Sequence, residues 1–173
     1  MIEETETDAD TENVRSQAGN KPRYHIDLDW HQRKRRSLRE MIGSRLCPPC
    51  QARLGADVEE RVTKVTGQGE VLQEVQSVPF PTDPIAQIRD CCSKFKDFIR
   101  PSMPLQEAVF RVILANGNQP LDAEEICQQL EWMGYGERAR FISPTSIQRI
   151  LEADDFYGFA SSSVDLQTST EPG

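Results

Sequence analysis

Between residues 102 and 160 apolar helical faces, capping residues and backbone breakers succeed one another so closely that little besides three short helices fits. Leu105, Val109, Val112, Ile113 and Leu114 share one face of a first helix. Asn116-Gly117-Asn118-Gln119-Pro120 is a turn. Asp122 caps a second helix, with Glu125 three residues on as the reciprocal partner of a capping box and Ile126, Leu130 and Met133 facing inward. Gly134 and Gly136 end it. Ser143 caps a third helix that carries Pro144 at its first position and buries Ile147, Ile150 and Leu151. Phe156-Tyr157-Gly158-Phe159 then reads as a short strand. Cys127 packs in the core of the second helix, and Trp132 and Tyr135 belong to the core or its rim.

The first half is less regular. Tyr24, Ile26, Leu28 and Trp30 alternate with polar residues, which predicts a strand over 24–30. From His31 to Leu46 the spacing of Leu38, Met41, Ile42 and Leu46 predicts one basic amphipathic helix, stopped by the prolines of Cys47-Pro48-Pro49-Cys50. The Val-rich stretch over 57–78, broken by Gly67 and Gly69, fits a short helix or a hairpin. Pro79, Pro81 and Pro84 make a linker, and Ile85, Ile88, Cys92, Phe95 and Ile99 predict a helix ending before Pro101.

The cysteines number five: Cys47 and Cys50, the adjacent Cys91 and Cys92, and the single Cys127. An odd count in spaced pairs points to metal ligation or buried thiols rather than a disulfide framework. Two thiolates separated by two residues can meet one tetrahedral ion, and a Cys-x-x-Cys turn is half of a structural zinc site. Cys91 and Cys92 complete it arithmetically, provided the backbone bends so that neighbouring side chains reach the same point. His25 and His31 are alternate ligands. Thiolates also suit iron or copper(I). The competing readings are buried thiols flanking a turn, and a redox dithiol, for which the surrounding βαβ pattern is missing.

Charge divides the chain. Residues 21–66 hold eleven Lys or Arg against six Asp or Glu, whereas residues 101–160 hold four Arg against nine acids, within a net charge of −8. The run Arg33-Lys34-Arg35-Arg36 with Arg39, beside Trp30 and His31, is the strongest cationic feature; it suits phosphates or an acidic protein, or else forms a solvated face. Residues 1–20, with six acids and one base, and the Ser- and Thr-rich end from 161 lack the apolar content to fold and are expected to be disordered. The acidic tail is placed to shield the basic patch. No apolar run spans a membrane and the start is acidic rather than signal-like, so a cytoplasmic location is expected. Glycine-rich phosphate loops, nucleophile elbows and HExxH are absent from the sequence, which argues against an enzyme.

The helix run QEAVFRVILAN, the PLDAEEICQQL entry, the SPTSIQRILEADD helix and the FYGF strand together resemble the winged-helix superfamily of helix-turn-helix domains over about residues 101–160. The resemblance implies a third helix that enters a DNA major groove or docks on a protein. Here that helix carries Thr145, Ser146, Gln148 and Arg149 but also Glu152, Asp154 and Asp155, whose charge opposes phosphate; Arg138 and Arg140, just before it, favour nucleic acid.

The expectation is therefore a mainly α chain with short β elements (α+β). It divides into acidic tail (1–20), basic Cys-x-x-Cys module stabilised by zinc (21–66), linker (67–84), helix carrying Cys91 and Cys92 (85–100), winged-helix-like three-helix domain (101–160) and tail (161–173). It would be a non-catalytic regulatory or adaptor protein with a structural Zn2+, binding a protein or nucleic acid. The alternatives are a sequence-specific transcription regulator and a thiol redox or metal sensor.

Overall fold

The computed structural model describes residues 21–162; both expected tails lie outside these residues, except Ser161 and Ser162, which belong to the last strand. The chain is mixed α+β. Among the described residues seven α-helices accompany two small antiparallel sheets, and no helix is long and apolar enough to cross a membrane.

Strand β1 (Arg23–Ile26) is shorter than the alternation predicts. Asp27 turns the chain: its side chain accepts from the Trp30 N–H and caps helix α1 (Leu28–Arg33), so the period-two pattern beyond Ile26 is overridden by a cap. The basic helix expected over 31–46 is likewise two. After α1 the chain passes through Arg35 at φ 54, and Ser37 then caps helix α2 (Leu38–Gly43) by accepting from the Glu40 N–H. Pro48 and Pro49 do not stop a helix; they occupy the first turn of helix α3 (Pro48–Ala52), where a missing N–H costs nothing.

The 57–78 stretch is a hairpin, β2 (Asp57–Val65) against β3 (Val71–Pro79). Part of the expected linker is thus strand. Helix α4 (Pro84–Asp90), capped by Asp83, is also shorter than predicted: it breaks at Cys91 and gives way to a 3-10 turn over Cys92–Lys94.

The second half follows the caps and breakers closely. Helix α5 (Leu105–Ala115) leads through a turn to β4 (Leu121–Asp122), and helix α6 (Ala123–Trp132) opens on the expected capping box of Asp122 and Glu125. Helix α7 (Pro144–Glu152) begins at Ser143 with Pro144 in its first turn. The last strand, β5, is Phe159–Ser162 and not 156–159. The carboxylate of Asp154 accepts from the backbone N–H groups of Phe156, Tyr157, Gly158 and Phe159, which folds those residues into a tight turn before the strand starts.

β1 joins the two halves. It lies in the middle of a three-stranded sheet ordered β4-β1-β5, with Tyr24 opposite Leu121 on one side and Ser161 on the other. Asn118 extends the β4 side: its amide accepts from the Ile26 N–H at 2.7 Å and donates to the Ile26 carbonyl at 3.0 Å. Tyr24 and Ile26 are buried on the same core cluster as Val109, Phe110, Ile113, Ile126 and Ile147, and that cluster also takes in Ile42, Leu46, Ile88 and Cys92 from the first half. Gly158, at φ +75, allows β1 and α1 to approach the 154–158 turn; an added Cβ there would sit 2.7 Å from the Trp30 ring and 2.9 Å from His31 Nε2.

Candidate metal centre

The Sγ atoms of Cys47, Cys50, Cys91 and Cys92 all lie within 4.8 Å of one another, at the junction of α3 with the end of α4. Each pair is placed by a local device. Cys47 is the residue before α3 and Cys50 sits one turn into it, so the two prolines between them set a helical i, i+3 spacing on one face. Cys91 leaves α4 at φ −128, ψ −66, and this kink lets two neighbouring side chains reach one point, the condition the sequence sets for an all-cysteine cluster.

The spacing suits a tetrahedral ion. Four sulfurs at Zn–S bonds of about 2.3 Å lie roughly 3.8 Å apart, and Cys50 Sγ stands 3.7 Å from Cys91 Sγ. The Gln87 side-chain amide donates to Cys50 Sγ at 3.2 Å, an outer contact of the kind that would orient a metal-bound thiolate. Cys47, Cys50 and Cys92 are buried and Cys91 partly so.

The thiols do not share one electrostatic setting. Burial pushes Cys47 up, but the Cys50 backbone N–H and the neighbouring thiols outweigh it and hold Cys47 below the ordinary thiol value. Burial drives Cys50 to about 11, helped by the Cys47 and Cys91 sulfurs, and pushes Cys92 up further still. Four sulfur atoms crowded in a site partly closed to water suit a soft cation, which would favour the thiolate forms of Cys50 and Cys92 against the burial that disfavours them.

The two histidines stand elsewhere. His25 lies on β1. His31, on α1, is fully buried, with Nε2 donating to the Tyr157 carbonyl at 2.7 Å; neither ring joins the cysteine cluster. Cys127 is half-buried on α6 and donates to the Ile142 carbonyl.

The expected cationic patch is dispersed by its own contacts. Arg33 pairs with Asp27 at 3.0 Å, and Lys34 lies over the Trp30 ring. Arg36 is sandwiched between Trp30 and Phe156 and donates to the Phe156 carbonyl. Arg39 donates to the carbonyls of Pro79 and Pro81. Arg140 pairs with Glu131, and Arg138 reaches the Pro101 carbonyl at 3.4 Å. Arg35 and Arg149 are exposed, without an ion pair among the described residues.

Two features escape sequence reading. Glu107 on α5 is held by Arg45 and Arg111 and accepts from the Tyr157 hydroxyl at 3.0 Å, a part-buried cluster joining both halves. Arg45 sits in the basic segment and looks there like one more surface cation. Trp132 is not core or rim: it is 83 % exposed, and Phe141 is 88 % exposed, whereas Tyr135 is buried with its hydroxyl on the Met103 carbonyl. Comparisons with protein-family models, with curated proteins and with solved structures find no match to this chain.

Proposed function

We propose that this chain is a non-catalytic adaptor in which Cys47, Cys50, Cys91 and Cys92 hold a structural zinc ion, and in which a winged-helix-like unit docks on a protein partner. The observation that carries the proposal is the convergence of four sulfurs from segments forty residues apart within 4.8 Å. Zinc needs four such ligands and no open position when its task is structural. Bound there, it supplies no reaction chemistry; it ties α3 to α4. The order α5, β4, α6, α7, β5 supports the winged-helix reading, with β1 taking the place a wing strand would have. Exposed Trp132 and Phe141 favour a protein over a nucleic acid, because isolated large aromatics anchor protein interfaces and most cations of the basic segment are occupied internally.

Metal content of the untagged protein, measured by elemental mass spectrometry under reducing conditions, tests the zinc. One zinc per chain is expected, lost in Cys47→Ser and in Cys91→Ser/Cys92→Ser together with thermal stability. Wild-type protein free of metal, or a Cys91→Ser/Cys92→Ser variant that keeps its zinc, would remove the proposal.

A further inference from the structure

The β2–β3 hairpin is a two-stranded sheet with both outer edges unpaired among the described residues, and 18 of the 23 residues over 57–79 are exposed, whereas a two-stranded hairpin is marginally stable on its own. Its edges differ in kind. β2 carries Asp57, Glu59, Glu60, Arg61 and Lys64, the charges that keep an edge from pairing. β3 carries Glu74 alone among its charged positions, and Val71, Leu72 and Val75 are exposed.

The hydrogen-bond phase shows what the β3 edge offers. Thr66 N–H donates to the Glu70 carbonyl and Phe80 N–H to the Ala56 carbonyl, so the pairs Val58 with Val78, Glu60 with Gln76, Val62 with Glu74 and Lys64 with Leu72 are the hydrogen-bonded ones. Val71, Gln73, Val75 and Ser77 therefore turn their N–H and C=O groups away from β2. Pro79 closes the base of this edge, lacking an N–H and giving its carbonyl to Arg39.

We infer that the β3 edge pairs antiparallel with β3 of a second copy of this chain, about a two-fold axis through Val75, to form a four-stranded sheet. About that residue the strand keeps one pattern in both directions, apolar positions meeting apolar and polar meeting polar. Gln73 meets Ser77 of the second copy, Glu74 meets Gln76, Leu72 meets Val78, and Val75 meets itself, with outward backbone groups facing outward backbone groups throughout. A two-fold axis through Glu74 keeps the hydrogen-bond phase but sets two glutamates opposite each other, which is unfavourable. Charge thus disfavours that register.

Sedimentation velocity of the full chain at tens of micromolar concentration tests this, beside Val75→Lys on the β3 edge, Thr63→Lys at an outward position of β2, and the pair Gln76→Lys and Gln76→Glu. Wild type and Thr63→Lys are expected to be dimeric and Val75→Lys monomeric, with unchanged circular dichroism. Gln76→Lys, facing Glu74 of the second copy, should tighten the dimer and Gln76→Glu loosen it, each by about threefold or more. A monomeric wild type, a dimer that survives Val75→Lys, dissociation by Thr63→Lys, or equal effects of the two Gln76 variants would each overturn the inference.

Discussion

Glu107 shows how much one side chain can carry. Its carboxylate is 14 % exposed and answers two guanidiniums, those of Arg45 and Arg111, which are 13 % and 17 % exposed. Burial alone would raise its pKa, but the two hydrogen-bonded arginines outweigh burial and hold it below the usual carboxylate value. As pH falls, the unfolded chain therefore takes up this proton before the folded one does. The stabilisation is complete above the unfolded value of about 4.3 and is lost as pH falls through the lowered folded value. Glu107→Gln should cost about 3 kcal/mol near neutral pH by leaving two largely buried cations short of a partner. In urea unfolding the gap between wild type and Glu107→Gln should narrow as pH drops below 4; a gap that stays constant would count against the linkage. Gly158 is a second such position. Gly158→Ala combines a left-handed φ with a Cβ in contact with Trp30 and His31, so a loss of about 2 kcal/mol or more is expected in thermal unfolding. A variant as stable as wild type would mean that α1 can shift away freely.

At the scale of elements, the turn built on Asp154 is the least anticipated. One carboxylate accepts from four consecutive backbone N–H groups, over 156–159. Asp154→Ala leaves those donors to water or unpaired and should cost about 1–3 kcal/mol; amide exchange at residues 156–159 should quicken more than exchange within α5. Uniform quickening across the chain would contradict a local role. Much of the fold was legible because caps and breakers are local chemistry: Asp122 with Glu125, and Ser143 with Pro144, sit where their types require. Misreadings arose where one residue overrides a longer pattern. Asp27 ends a strand that hydropathy would continue, Ser37 restarts a helix, and Cys91 breaks one. The convergence of the four cysteines was readable because spacing and residue type set out a candidate metal cluster. The Glu107 cluster was not, since the pairing of Arg45 with a residue 62 positions away is a property of tertiary packing.

At the scale of the whole molecule, the sheet joins the two halves, whereas the cysteine cluster lies within the first, between α3 and the end of α4. If the cluster holds zinc, a strong chelator with reductant should lower the thermal midpoint by several degrees or more, and restoring zinc should recover it. A midpoint indifferent to chelator would assign the stability to the sheet and the shared core alone. The core cluster takes buried side chains from both halves, so no cut between residues 66 and 101 leaves two complete cores.

The place of β1 also sets an order of events during synthesis. Ile26 is opposite Phe159, so the central strand, made early, has no neighbour on either side until β4 and then β5 have left the ribosome. Contacts this distant along the chain form slowly. Until β5 has been made, the chain carries an open central strand with Tyr24 and Ile26 uncovered, and an apolar strand left open in this way exposes the nascent polypeptide to aggregation unless something shields it.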